Sequence, residues 1–484
     1  MNLPDFNHFD KLFYGLDLAK KHSQLAILDS VGTELANFKF DSSSQNFLKL
    51  AKSLRPTDEI AFEVSTSANG VMSLFANHSS ARAVLSNPLF TSSISKAVVH
   101  SDKEDARKLA DLNRCQYLET VWFPDPDTLR LRHFIADRQS LVQTKTKLKN
   151  QVHSVLQRNL ITYSFSDLFG GEGSDWLDQF LQTDRLDVFE QDRVRFLRAE
   201  IVRQTALVED LDQTIAAFIS SHARFSHQLN LLLSIPGVSL ASGATVLSAI
   251  GDISRFPSAK QLACYFGLTQ RIKQTGGKPP RIGKISKQGN AYGRFMLIES
   301  AEHLRRSPTI YRRSYEKISK KKGHNVAVVA IARRLAELIW HLLTKNEEFI
   351  YARPKQTDDK RSKVKQMARA KADLKLDKKP TNRILYGTNL RGVEIKDELR
   401  KRACDETLKI YDLLELGKSL SEISPTGFNP RKPRFTDWQK LLELIAKDYA
   451  AEIAKEKEAE KKTEKIESKK EEKKQPEKEV KKMT

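Results

Sequence analysis

Over the first 125 or so positions the apolar residues fall in short runs, each closed by a charged or turn-forming residue. Leu12-Phe13-Tyr14-Gly15-Leu16 ends at Asp17, and Ile60-Ala61-Phe62 ends at Glu63. Runs of this length, apolar on consecutive residues, predict strands buried on both faces. Leu25-Ala26-Ile27-Leu28 and Leu35-Ala36-Asn37-Phe38-Lys39-Phe40 flank a Val31-Gly32 turn signal and predict a hairpin. The spacing then changes to helical at Phe47, Leu50, Ala51 and Leu54, returns to a strand at Ile60, becomes helical again around Val71, Leu74 and Phe75, and closes on the strand-like Ala81-Arg82-Ala83-Val84-Leu85. The predicted order is a three-strand meander feeding alternating α/β units.

From Leu129 the pattern is that of long helices. Leu131, Phe134, Ile135, Leu141, Val142, Leu148, Val152 and Val155 form one stripe, and Phe196, Leu197, Ile201, Leu207, Val208, Leu211, Ile215 and Phe218 form another. The breaker-rich Phe169-Gly170-Gly171-Glu172-Gly173-Ser174-Asp175 lies between them, so an antiparallel helical coiled-coil hairpin is expected, packing within one chain or pairing subunits. A mainly helical segment follows. Its Ile235-Pro236-Gly237-Val238-Ser239 turn precedes the small-residue helix 241–250 and resembles a helix-hairpin-helix, with Ser239 where a second turn glycine is usual. Beyond Arg353 the chain is charge-rich, with apolar periodicity only near Leu408–Leu416 and Trp438–Ile445, and from Lys455 it is almost entirely Lys and Glu. The expected divisions are 1–125, 126–225, 226–352, a charged accessory extension 353–454, and a disordered tail 455–484.

Composition bears on the partner. Among 484 residues, 82 Lys and Arg against 61 Asp and Glu give a formal net charge of +21, which favours a polyanion. Cys115, Cys264 and Cys404 are far apart and in no ligand spacing, so free thiols in a reducing, cytoplasmic setting are expected. The N-terminus lacks the basic start and apolar core of a secretory leader, and no run of about 18 apolar residues predicts a membrane span.

Candidate chemistry is concentrated in two clusters. Asp17 and Glu63 stand at strand ends, and Asp102 and Asp105 are three apart in the helical Asp102-Lys103-Glu104-Asp105-Ala106-Arg107, hence on one face. If these four carboxylates converge, their repulsion calls for a hard cation; oxygen ligands suit Mg²⁺ or Mn²⁺, which would hold and polarise a phosphate. The second cluster interleaves Arg271, Lys273, Lys278, Arg281, Lys284, Lys287 and Arg294 with Gly276-Gly277, Gly283 and Gly289. Glycines let the backbone approach a phosphate, the cations neutralise it, and a hydroxyl, Thr275 or Ser286, is at hand for phosphoryl transfer.

Gly15-Leu16-Asp17-Leu18-Ala19-Lys20, Glu63, Ser101–Arg107, Ile235-Pro236-Gly237-Val238, Ile250–Phe256 and Ile285-Ser286-Lys287-Gln288-Gly289-Asn290, in this order, resemble the DEDD-type insertion-sequence transposases. These relatives of the Piv invertases include bridge-RNA-guided recombinases. The resemblance spans about Tyr14 to Ile350. It implies a ribonuclease-H-like (RuvC-like) nuclease domain over 1–125, a coiled coil, and a C-terminal transposase domain, working as a homo-oligomer on DNA. It implies Mg²⁺ at Asp17, Glu63, Asp102 and Asp105, a nucleophile at Thr275 where the family has serine, and a noncoding guide RNA as a further expected partner. Threonine keeps the hydroxyl but adds a methyl that crowds in-line attack. The competing expectations are a RuvC-like junction nuclease that uses water and an inactive nucleic-acid-binding derivative.

Overall fold

In the computed structural model, residues 6, 8–88, 91, 101–274 and 280–371 are described, with short stretches at 389–390, 393–394, 413–414, 442–451, 453–454 and 457–458. They form two compact units, Met1–Asp125 and Pro126–Thr484.

The first unit is built on a five-stranded sheet of order β3-β2-β1-β4-β5. β1 (Phe13–Asp17), β2 (His22–Leu28) and β3 (Glu34–Asp41) form the antiparallel meander, while β4 (Glu59–Glu63) and β5 (Arg82–Ser86) run parallel to β1. The β2–β3 turn is fixed by Asp29, whose Oδ1 accepts from the backbone N–H groups of Val31, Gly32 and Thr33, with Gly32 at φ 97°. One face of the sheet carries the large side chains Tyr14, Leu16, Ile60 and Phe62. They pack on Phe47, Leu50 and Ala51 of α1 (Ser44–Ser53) and on Val71 and Phe75 of α2 (Ala68–His78). The opposite face carries Gly15, Ala26 and Ala61 and is covered by α3 (Asp102–Arg114). Buried Asp58 locks the entry to β1 and β4 by accepting from the Leu12 backbone N–H at 3.1 Å and from Arg55 Nη2 at 2.8 Å.

In the second unit α4 (Pro126–Arg158) and α6 (Val188–Ser221) pair antiparallel, since Arg138 meets Asp212 at 2.5 Å near one end and Arg158 meets Glu190 at 3.4 Å near the other. α5 (Gly171–Phe180) closes the far end, placing Leu177 and Phe180 against Val152, Val155, Val194 and Leu197. Near the other end Leu131, Ile135, Ile215 and Phe218 enter a larger core. That core is shared with α7 (Ala223–Leu233), α8 (Leu240–Ile250), α9 (Ala259–Tyr265), α10 (Ala291–Leu304), α11 (Ile310–Lys322) and the long α12 (His324–Lys345). Between α9 and α10 a two-stranded ribbon, β6 (Gln270–Lys273) and β7 (Arg281–Ile285), leaves the helical body.

The charge-rich stretch after Arg353 contributes to this core. α13 (Pro354–Arg369) buries Thr357, Arg361 and Val364, at helical spacing, and helix 442–451 buries Leu442, Leu444 and Ile445. Lys360 Nζ donates to the carbonyls of Leu233 and Ile235 at 3.0 and 2.8 Å, where α7 ends without further helical partners. Burial, with Arg361 adding to it, lowers the Lys360 pKa from 10.5 to about 8. The unfolded chain therefore holds more protons between pH 8 and 10.5, and stability rises with pH across that window. Lys360→Met should flatten the rise: above pH 10.5, where the lysine is neutral, it should cost about 1–3 kcal/mol through the lost donor, and near pH 7 relief of the buried charge should offset that cost. Denaturant melts of both proteins across the window measure each effect.

Candidate active site

The carboxyl edge of the parallel strands organises the first unit's acids. Leu16 lies opposite Phe62 in the β1–β4 register, so Asp17 and Glu63 are the next residues of two neighbouring strands. Alternation places them on the same face as Gly15 and Ala61, the face that meets α3.

Glycine is required at position 15 because a Cβ there would lie 2.0 Å from the Ala106 carbonyl oxygen and 2.5 Å from the Ala110 backbone nitrogen. Ala106 and Ala110, both fully buried, repeat the economy of size on the helix side. The helix thus rides directly on β1, with its first turn, carrying Asp102 and Asp105, near the strand end. Ser101 caps that turn by accepting from the Glu104 N–H at 3.3 Å. Asn37 holds it from the side: its Nδ2 donates to the Lys103 carbonyl at 3.1 Å, and its Oδ1 accepts from Gln24, the β2 residue facing Asp17, at 2.7 Å.

The charges register this convergence. Burial and then the carboxylates of Asp102, Asp105 and Glu63 push the Asp17 pKa from 3.8 up to about 6. Partial compensation is local: Glu63 accepts from the Thr91 hydroxyl, Lys108 lies 3.2 Å from Asp105, and the N-terminus of α3 favours negative charge. Among the described residues no three His, Cys, Asp or Glu side chains stand close enough to grip an ion in their present rotamers. The donor set is all carboxylate, and its mutual repulsion at Asp17 is what a hard divalent cation would relieve. Thr91, Asn37 and Gly15 are contributors that sequence reasoning did not single out.

The second cluster divides. Lys273 and Arg281 are cross-strand partners on the ribbon, Arg271 Nη2 donates to the Ser286 carbonyl at 2.9 Å, and Lys284 and Lys287 are exposed. Arg294 is engaged elsewhere, donating to the Phe266 carbonyl at 3.1 Å beyond the end of α9. Ser286 is tied down: its N–H donates to the Thr269 carbonyl at 2.8 Å and its hydroxyl accepts from the Gln288 N–H at 3.4 Å. Thr275 and Lys278 lie outside the described residues. The Gly237 turn (φ 88°) packs against α10, where a Cβ would lie 2.6 Å from both the Ser300 carbonyl oxygen and His303 Cβ. That side of the turn is occupied by protein, while Ser239 and Ser242 form a capping box that starts α8.

Comparison with known proteins decides the family. A DEDD-type IS110 transposase model matches residues 14–160, which hold all four acids, and the model of the transposase IS116/IS110/IS902 family matches residues 229–316, which hold the ribbon. The chain belongs to the IS110/IS116 transposase family. A putative transposase of Sinorhizobium fredii is 25% identical over 363 residues, covering 69% of this chain and 88% of the relative. The transposase for insertion sequence element IS1111A of Coxiella burnetii is 26% identical over 256 residues, 51% of this chain and 68% of the relative. A pilin gene-inverting protein of Moraxella bovis is 30% identical over 144 residues, 29% of this chain and 45% of the relative. No helix among the described residues of this transposase is long and apolar enough to cross a membrane.

Proposed function

We propose that this transposase cuts and rejoins DNA strands by phosphoryl transfer, through a ribonuclease-H-like first unit whose Asp17, Glu63, Asp102 and Asp105 hold Mg²⁺ or Mn²⁺, and through a hydroxyl nucleophile, Thr275. The observation that carries the reading is the Asp17 carboxyl, pushed up to about 6 by burial and by three other carboxylates from two further elements. The strand order β3-β2-β1-β4-β5 with β2 antiparallel supports the fold assignment. A divalent ion in such a nest supplies charge stabilisation at a reacting phosphate.

The chain's own residues do the rest. Gly15 and Asn37 hold Asp102 and Asp105 beside Asp17, and Thr91 orients Glu63. In the second unit Lys273, Arg281 and Lys284 attract and position the phosphate backbone. Thr275 Oγ gives up its proton and bonds to phosphorus as a sugar oxygen–phosphorus bond breaks, the departing oxygen taking a proton; the reverse attack by a sugar hydroxyl rejoins the strand. The working form is a homo-oligomer, supported by Phe189 and Phe196, seven residues apart on α6 and 87% and 71% exposed. A noncoding RNA of the element selects the sites joined.

Incubation with circular element DNA, Mg²⁺ and RNA transcribed from the element's ends, followed by denaturing electrophoresis, tests the reading. A protein–DNA adduct is expected with Thr275 or Thr275→Ser and is expected to vanish with Thr275→Ala. Cleavage that persists in Thr275→Ala with no adduct at any time would assign the reaction to water and a junction nuclease. The crowding methyl of threonine is the observation that favours this second reading.

A further inference from the structure

We infer that the β6–β7 ribbon is a two-faced DNA arm, its cationic face on the sugar–phosphate backbone and its Ile272–Ile282 face wedged against a base step that it helps to unstack; this rests on the proposal that the chain acts on DNA.

Every residue of β6 and all of β7 but Ile285 are exposed, although the ribbon springs from a closely packed base. Ile272 and Ile282 are direct cross-strand partners, 68% and 55% exposed. Two aliphatic side chains paired in solvent leave unrealised the apolar burial that a partner surface would supply. Alternation puts their neighbours Lys273 and Arg281, themselves cross-strand partners, on the other face. Gly283 and Lys284 together oppose Arg271, a bulge that adds twist to the ribbon.

The base is fixed. Gly289 (φ 83°) and Gly267 (φ 67°) could not carry side chains, since a Cβ would lie 2.0 Å from the Tyr265 carbonyl oxygen in the first case and 2.3 Å from the Gln288 carbonyl oxygen in the second. Asn290 caps α10 just beyond, accepting from the Gly293 N–H at 2.7 Å. The ribbon is therefore anchored at its foot while its strands reach into solvent, and the connection between them carries Thr275 in the sequence.

Charge identifies the occupant. No Asp or Glu occurs between Asp252 and Glu299, whereas Arg271, Lys273, Lys278, Arg281, Lys284 and Lys287 fall within it. A second ribbon docked on the first would bring like charges together, so self-association is opposed; DNA is the partner that offers both anions and apolar base faces. A two-stranded ribbon fits a DNA groove, and isoleucine is a side chain that wedges between base steps.

The test uses the full-length protein in EDTA, so that binding is read without cleavage, and an element-end duplex carrying 2-aminopurine. Wild type is expected to raise the fluorescence on binding and to prefer a bubbled duplex over a fully paired one. Ile272→Ser/Ile282→Ser should lose most of both effects while keeping the slope of log Kd against log salt. Lys273→Gln/Arg281→Gln should lower that slope by about 2, near 0.9 for each phosphate no longer neutralised. Unchanged fluorescence in the isoleucine variant overturns the wedge even if strand cleavage in Mg²⁺ is intact. Loss of self-association by that variant in sedimentation, with fluorescence retained, overturns it in favour of an interface between copies. Fluorescence lost in the isoleucine variant, with no cleavage by wild type in Mg²⁺, sustains the arm and defeats the catalytic proposal instead. Circular dichroism melts confirm that both variants fold.

Discussion

Asp17→Asn should lower strand cleavage by about 10²-fold or more while making the ion-free protein more stable. The two effects have one origin. Asp17 is ionised at pH 7 against burial and against the fields of Asp102, Asp105 and Glu63, which is why its pKa is raised from 3.8 to about 6. A carboxyl raised in the folded state costs nothing below the unfolded value and its full penalty above the folded one. The penalty thus appears as pH rises through the window from 3.8 to about 6 and persists at neutrality. Asparagine keeps the shape and removes the charge, so thermal melts in EDTA should show the variant and wild type alike near pH 4 and the variant ahead at pH 7, by about 1 kcal/mol once solvent screening at a half-exposed group is allowed for. Added Mg²⁺ should stabilise wild type in a concentration-dependent way and leave Asp17→Asn nearly unmoved. An Asp17→Asn protein that melts below wild type in EDTA at pH 7 would show that the carboxylate is held by hydrogen bonds rather than strained by its neighbours.

That charge cluster was legible because its signals are local. Asp17 and Glu63 each interrupt an apolar run at the point where a strand should end, and Asp102 and Asp105 share a helix face by spacing alone. The parts that were not legible depend on residues distant in the chain. Nothing near Gly15 announces that its missing side chain admits the backbone of Ala106, ninety-one positions later. Thr91 gives no periodic signal, yet it donates to Glu63. Arg294 reads as one more phosphate-binding cation in a basic stretch, but the fold aims it at the Phe266 carbonyl. The charged segment after Arg353 shows no apolar periodicity over α13 because only about one residue per turn is buried, and one of these is Arg361, whose Nη2 donates to the Asn230 carbonyl at 3.0 Å and to Glu348 at 2.8 Å. Composition averages over a helix; burial acts on one stripe of it. The meander, the parallel strands and the long helical pair were recoverable from periodicity because each repeats its signal over many residues.

Gly15→Val should be the most damaging substitution in the first unit that touches no candidate ligand. Even the Cβ alone would sit 2.0 Å from the Ala106 carbonyl oxygen and 2.5 Å from the Ala110 nitrogen, and both are backbone atoms, so trimming a helix side chain cannot make room. α3 must lift from β1 by more than an ångström, which opens the packing of Ala106, Leu109 and Ala110, all now buried. Overpacking commonly costs about 1–3 kcal/mol, and a clash with backbone on both sides belongs at or above the upper end. The lift also carries Asp102 and Asp105 away from Asp17, so a variant that still folds should lose catalysis as severely as Asp17→Asn. Unlike Asp17→Asn it should lose stability, and the pH dependence between 3.8 and about 6 should shrink because the charges have moved apart. Thermal melts against pH separate the two variants: both inactive, one stabilised at neutrality and the other destabilised throughout. Should Gly15→Val melt and cleave like wild type, the close seating of α3 on β1 would not be what sets the acidic cluster in place.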